Sequence, residues 1–573
     1  MKEKDKIEDV KQEEVVEKVE KEEAGSDKSQ KSNGLALIVV LLIIIACLGG
    51  VIYYLGNGKD DDSNTEKDNN KQESKVSSPE LKSEYRLGGN GLENFDIHFL
   101  QTENKEENKV YSPLSIKYAL EMLAEGADGD SKAQLDAIIG DYVAKKYTNS
   151  KNMSFANAFF VKNSFRDSIK NDYVDLLKDK YSAEVVYDDF KNASLINKWI
   201  KDKTLGMIPS LVDDVSNNDF FLVNALAIDM EWVNKIQAHG DNAKTYSVDF
   251  LHEQVKITKD MSKYGTEYNS SGESVQPLES VGYTPVEFDN SSKKAKSVEV
   301  MAIANKYDAV KTLGEDNIRT TIKKEYTDWM NSKEGKECRE FSSKEDYPDD
   351  SNKFVDKFIK ELDSNYKHVS GSTDFLFYDD DDVKVFAKDL KEYDGTTLQY
   401  VGVMPKNEKL VDFINNTNSS KLNEYIKSLK ELKLDSFEDG YLTYVTGFIP
   451  MFKMDYELNL ISDLKKMGVT DVFDSEKADL SKMTSEKEYI DPAIHKANIE
   501  FSNDGIKASA ATAVGGKGAT GCGFEHRYNI PSKTINLTFD KPYLYLVRDK
   551  DSGEVWFTGT VYKPIDYVSN PGY

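Results

Sequence analysis

Residues 220–228 read FFLVNALAI, with one polar side chain in the whole run. A stretch this continuous, without alternation, predicts a strand covered on both faces. Helical spacing appears elsewhere. Leu114, Tyr118, Leu120, Met122 and Leu123 share one side of a segment that ends at Gly126. Ser112 and Pro113 open that segment, the hydroxyl accepting orphan amides and the proline suiting the first turn. Ile196, Trp199 and Ile200 again repeat at helical spacing. Near the C-terminus, residues 543–548 and 554–561 flank DKDSG and predict an antiparallel hairpin. Helical and strand patterns alternate in this way from Asn94 to the end. A polar stretch, residues 270–375, interrupts them; it is read as an insertion with some helix, around residues 318–329 and 354–362.

The N-terminal part has a different texture. Residues 1–33 are dense in Lys and Glu and predict a disordered tail. Residues 34–55 follow, GLALIVVLLIIIACLGGVIYYL, without a charge and long enough to cross a bilayer as a helix. A cleaved signal peptide has a shorter basic start and a shorter apolar run. A lipoprotein signal would use Cys47, and the long charged tail before it speaks against that. A transmembrane signal anchor fits best. Lys28 and Lys31 precede it and Lys59 with Asp60, Asp61 and Asp62 follows, a bias that favours the N-terminus inside the cell and the bulk of the chain outside. Residues 56–82 read as a flexible linker, and 83–567 as the folded domain.

Charge and cysteines narrow the function classes. A net charge of -26 argues against nucleic acid, whose phosphates need a basic face. The three cysteines are too few for a disulfide scaffold. With Cys47 in the membrane segment, only Cys338 and Cys522 are placed to pair outside it, and two unpaired thiols are an equal reading. No HExxH pair and no GxSxG elbow is present. The glycines of GGKGATGCG lack the Ser or Thr that a phosphate loop carries after its lysine. Asp379 and Asp382 bound an acidic run that suits a solvated turn better than a calcium site. Neither catalysis, nor a metal, nor any cofactor is indicated.

The segment after His495 is the informative one. HKANIEFSNDG passes from strand-like alternation into a turn at Asn503, Asp504 and Gly505. Small residues then dominate up to Thr520, which by composition also suits an Ala-rich helix or a loop. As a strand, the stretch separates cleanly into faces. Ile506, Ala508, Ala510, Thr512, Val514 and Gly516 fall on one side, without a charge. Lys507, Ser509 and Lys517 fall on the other.

These motifs resemble the serpin family over about residues 92–565. SPLSI at 112–116, preceded by Asn108, is similar to its early helix motif and contains Ser112 and Ser115. INKWIKDKTLGMI, LVNALAIDMEW with Asn224 and Trp232, FIPMFKM, LKKMGVTDVF, ADLSKM, HKANIE and FDKPYLYLVRDKDSGEVWFTGTV follow in family order. The resemblance implies an α+β fold of three β-sheets and about nine helices with an exposed reactive loop. It implies a suicide inhibitor of a serine protease, working as a monomer without cofactors: the cut loop inserts into the central sheet and traps the acyl-enzyme. Family spacing puts the reactive bond between Ala519 and Thr520, with cleavage after Lys517 as the alternative. A small residue before the cut favours an elastase-like or subtilisin-like target. The hinge and inserting face would be Gly505, Ile506, Ala508, Ala510, Thr512 and Val514. Trp232, Asn224, Ser112, Ser115 and His495 would be structural residues at the top and middle of the sheet. The chain departs from the family at Ile506, where Thr or Ser is usual, at Lys507 in place of Glu, and at Met207 in place of Lys. The segment between Gly505 and Pro542 is also about a dozen residues longer than is usual. A non-inhibitory serpin serving as a cell-surface binding or adhesion module is the other reading.

Overall fold

A computed structural model describes residues 83–234, 236, 246–249, 265–268, 274–277, 294–364, 367–371, 374–506, 524, 526 and 528–565. The tail, the apolar segment 34–55, the linker and loop residues 507–523 lie outside the described residues. Among the described residues, no helix is long and apolar enough to cross a membrane.

The first half runs α1 (Asn94–Thr102), β1 (Lys109–Tyr111), α2 (Pro113–Gly126), α3 (Gly129–Ile139), β2 (Met153–Lys162), α4 (Asn171–Tyr181), β3 (Glu184–Asp188), α5 (Ser194–Lys203), β4 (Phe220–Ile228) and β5 (Met230–Glu231). Strands β6 (Tyr246–Asp249), β7 (Gly265–Tyr268), β8 (Ser274–Pro277) and β9 (Lys294–Lys306) follow. Next come α6 (Ala309–Leu313), α7 (Glu315–Asn331), α8 (Lys333–Phe341) and α9 (Ser351–Ser364). Strands β10 (Lys367–Gly371), β11 (Phe375–Asp379), β12 (Val383–Asp389) and β13 (Leu398–Pro405) lead to α10 (Leu410–Asn416) and α11 (Ser419–Lys427). The last part holds β14 (Lys430–Glu431), β15 (Leu442–Pro450), β16 (Phe452–Asn459), α12 (Leu460–Met467), β17 (Ile494–Phe501), β18 (Gly505–Ile506), β19 (Tyr528–Asn536), β20 (Tyr543–Asp549) and β21 (Val555–Val561).

Hydrogen bonding groups the described strands into four sheets, not the three expected. One has the order β1-β21-β20-β13-β12-β11-β14, and another β10-β9-β15-β19-β7-β8 with β6 on β9. The remaining two, β16-β17-β18-β5 and β3-β2-β4, are halves of one layer, because β4 and β5 are consecutive in the chain. They count separately because β4 and β17 share no pairing below the short β18. The described residues also hold twelve α-helices where about nine were expected, and four of them lie between β9 and β10.

Local chemistry explains several of these elements. Ser112 Oγ accepts from the Ser115 N–H at 3.1 Å and caps α2 ahead of Pro113. Strand β4 is covered on both sides, as its unbroken apolar run requires. Phe221, Val223 and Ala225 pack with Trp199 and Ile200 of α5, whereas Leu226 and Ile228 enter the main core. β20 and β21 pair antiparallel across the DKDSG turn. Asp380 Oδ1 accepts from the amides of Asp382 and Val383, so the acidic run makes a turn between β11 and β12. Among the described residues no cluster of metal-ligating side chains forms.

Candidate functional site

The site centres on the two residues of β18. Ile506 pairs with Phe501 on one side and with Met230 on the other, while Gly505 pairs with Glu231. The start of the small-residue segment is thus a short strand between β17 and β5. Ile506 is 1% exposed and joins the main core with Met230 and Phe501. Its bulk is accommodated because both of these partners are apolar.

A tight turn delivers the chain there. The Ser502 N–H donates to Gly505 O at 3.0 Å, and the Asp504 N–H donates to Ser502 Oγ at 3.3 Å. Gly505 has φ +155°, and a Cβ at this position would lie 2.3 Å from Met230 O. Only glycine lets the two backbones approach this closely.

Trp232 locks the turn from below. It is fully buried, its Nε1–H donates to Ser502 O at 3.0 Å, and its N–H donates to Asp504 O at 3.1 Å. Its ring packs edge-on against Phe501 at 5.6 Å and Tyr400 at 6.2 Å. Such a side chain combines a large apolar contact with one satisfied donor.

Among the described residues, the layer below Ile506 is open. A cavity of about 180 Å³ is lined by Phe220 and Leu222 of β4, Ile494 of β17, Leu120 of α2 and Leu460 of α12. A second, of about 60 Å³, lies between Asn224 and Leu226 on one strand and His495 and Ala497 on the other, with Ser112 and Ser115 beneath. The structure thus gathers Asn224, His495, Ser112 and Ser115 around one small space, while Trp232 sits higher, at the turn.

Polar groups around this space are mostly matched. His495 Nε2 accepts the Ser112 N–H at 2.9 Å, which ties β17 to the start of α2. Accepting there requires a neutral ring, and burial pushes the His495 pKa down to about 4. Asn224 donates through Nδ2 to Asn157 Oδ1 at 2.7 Å, and Asn157 donates to Tyr181 O at 2.8 Å. The Oδ1 of Asn224 is buried without a partner. A buried acceptor left in this state invites an incoming donor.

Ala508, Ala510, Thr512, Val514, Ala519 and Thr520 lie outside the described residues. Sequence reasoning did not single out Met230, Phe501, Ser502 or Asn157. Asn157 carried a signal, as the one amide within the strand sequence MSFANAFFVK. Cys338 corrects the equal reading of two unpaired thiols, because it is disulfide-bonded.

Comparison with known proteins agrees with this geometry. A family model described as Serpin (serine protease inhibitor) matches residues 95–276 and 346–564. Neuroserpin of Gallus gallus is 23% identical over 497 residues, covering 81% of this chain and 88% of that protein. The leukocyte elastase inhibitor of Homo sapiens is 30% identical over 222 residues, covering 36% of this chain and 55% of that protein. Among solved structures, the thermophilic serpin tengpin in its native state has a TM-score of 0.51 at 20% identity, covering 85% of this chain and 96% of that one. A sheet open below a two-residue hinge, and a family match over most of the folded part, lead to one conclusion: this chain belongs to the serpin family.

Proposed function

We propose that the chain is a suicide inhibitor of an extracellular serine protease, tethered to a membrane through residues 34–55. The observation that carries this reading is the hinge already seated between β17 and β5, above a gap that no strand fills among the described residues. Continued without a shift, the pairing of β18 sets Ala508 between Ile228 and Ile499, and Ala510 between Leu226 and Ala497. Thr512 then falls between Asn224 and His495, and Val514 between Leu222 and Ala493. These four side chains would share the buried face of Ile506, and the Thr512 hydroxyl would meet the unpartnered oxygen of Asn224. Their small size suits insertion into the narrow space between β4 and β17.

Gly516 would end opposite Phe220, the first residue of β4, about 33 Å from Ile506 at roughly 3.3 Å per residue. The protease serine attacks the Ala519 carbonyl, an ester forms on Ala519, and the Thr520 amine leaves. The inserting strand then carries the ester to the far end of β4, only three residues past the sheet. A short leash of this kind pulls the protease against the rim and distorts its catalytic geometry. The small side chain of Ala519 favours an elastase-like or subtilisin-like protease, a reading that the partial likeness to a leukocyte elastase inhibitor also supports. The inhibitor acts as a monomer and needs no cofactor.

The test is incubation of the purified chain with elastase-like, subtilisin-like and trypsin-like proteases, followed by denaturing electrophoresis. A covalent complex with one of them is expected. Clean cleavage by all three, without a complex, would favour the cell-surface binding module instead. Ala510→Arg should convert the inhibitor into a plain substrate, cutting complex formation by about tenfold or more, because the charge would enter the core between Leu226 and Ala497.

A further inference from the structure

The larger cavity in the open layer has walls on both faces. Leu120 and Leu123 of α2, which belong to the main core, line it on one face. Leu211 and Val212, which pack with α5 and with Phe221 and Val223 of β4, line it on the other. Two hydrogen bonds span the layer nearby. Lys496 Nζ donates to Ser210 O at 3.3 Å, and Asn218 Nδ2 donates to Asp491 O at 2.9 Å. The space so enclosed is about 180 Å³. An apolar void of about 150 Å³ is already enough to hold one benzene ring.

The charge around this cavity has one sign. Asp219, Glu488 and Asp491 line it, and among the described residues no lysine, arginine or histidine does. Asp219 is partly matched by Lys162 of β2, whose Nζ lies 3.5 Å from its carboxylate. Glu488 has neither a hydrogen bond nor an ion pair among the described residues. Burial raises its pKa, and the carboxylates of Asp219 and Glu486 raise it further. A half-buried carboxylate with two like charges for neighbours is short of a cation. Three rings, those of Phe220, Phe473 and Tyr489, line the same cavity.

We propose that this cavity is a binding site for a small aromatic amine, with the ring against Leu120, Phe220 and Phe473 and the ammonium against Glu488 and Asp219. The ammonium relieves the repulsion between the carboxylates, and the aromatic lining favours a cation at the edge of an apolar wall. An amine of one ring and a short chain matches both the volume and the charge. The same space is the one that a strand entering between β4 and β17 must fill, since Leu222 and Ala493 on its two sides both line it. An occupied cavity therefore stops insertion before the far end of β4. The protease is not pulled against the rim and keeps its catalytic geometry. Water then attacks the ester, the bond to the protease serine breaks, and the serine recovers its proton while a carboxylate is left on the inhibitor. The ligand thus turns the inhibitor into a substrate. This effect rests on the insertion mechanism proposed above, whereas the binding of the amine does not.

Calorimetric titration of the full, uncut chain tests the site, with 2-phenylethylamine as the probe and 2-phenylethanol and 3-phenylpropanoate as its neutral and anionic counterparts. The amine should bind at least about tenfold more tightly than the carboxylate. Glu488→Gln keeps the shape of a half-exposed side chain, so the fold should survive it. This variant should lose several-fold in affinity for the amine and nothing for the alcohol. No binding of the amine, equal binding of amine and carboxylate, or an amine affinity indifferent to Glu488→Gln would overturn the site. The blocking role is read by denaturing electrophoresis of the chain with a protease, with and without saturating amine. The share of covalent complex should fall by about fivefold as cut product rises, while the protease keeps its rate on a small synthetic substrate. An unchanged share with the amine bound would overturn the blocking role and leave the insertion mechanism standing. A chain that forms no complex even without amine would count against the insertion mechanism and take the blocking role with it, and the titration would then decide the site alone.

Discussion

His495 holds its place by accepting a hydrogen bond from the backbone of Ser112, and a protonated ring has no lone pair to do so. Burial lowers its pKa in the folded chain to about 4, against about 6.5 when unfolded. The unfolded chain therefore binds the proton first as pH falls, and the contribution of this group is present above pH 6.5 and lost between 6.5 and 4. The loss is on the order of 3 kcal/mol at its fullest. Urea unfolding at pH 7 and pH 4.5 should show a smaller pH dependence for His495→Asn than for the natural chain; equal slopes would sink this account. At the hinge, Gly505→Ala places a methyl against Met230 O and should expel β18 from the sheet. Complex formation should fall several-fold, and the hinge should become open to limited proteolysis. A variant with unchanged trapping would mean that the seated hinge has no role in insertion.

At the level of elements, β5, β18 and the turn before it act as one unit because Trp232 hydrogen-bonds the turn twice. Trp232→Ala removes a fully buried ring together with the donor to Ser502 O, at a cost of about 3–5 kcal/mol. Denaturant titration measures it, and a loss below about 1 kcal/mol would show that the turn holds without the ring. Individual elements were legible where the pattern was local. The apolar run at 220–228 is β4. The Ser112-Pro113 start is the cap of α2, and the residues flanking DKDSG pair as β20 and β21. The helices around 318–329 and 354–362 emerge as α7 and α9. Their neighbours α6 and α8 were not legible, since α6 has only five residues and α8 is short and polar, and both gain their burial from packing on neighbouring helices of the insertion. The disulfide at Cys338 was equally hidden, because pairing depends on distance in space and not on spacing along the chain.

For the whole molecule, the open layer is the feature with the largest energetic consequence. Filling cavities of about 180 and 60 Å³ at roughly 24 cal/mol per Å³ corresponds to on the order of 6 kcal/mol. Cleavage at Ala519 should therefore raise the melting temperature by roughly ten degrees. Calorimetry before and after limited cleavage measures this, and an unchanged transition would contradict insertion. The sequence by itself determined the elements with a local signature, the family and the uncharged face of Ile506, Ala508, Ala510, Thr512 and Val514, because side-chain parity and local caps are properties of neighbours along the chain. The tertiary structure alone decided that β4 and β17 stand apart, that Gly505 and Ile506 already sit between β17 and β5, and that α7 holds Phe524. Each of these depends on which distant strands and helices find one another, and their hydrogen bonds and buried faces exist only after the chain has folded.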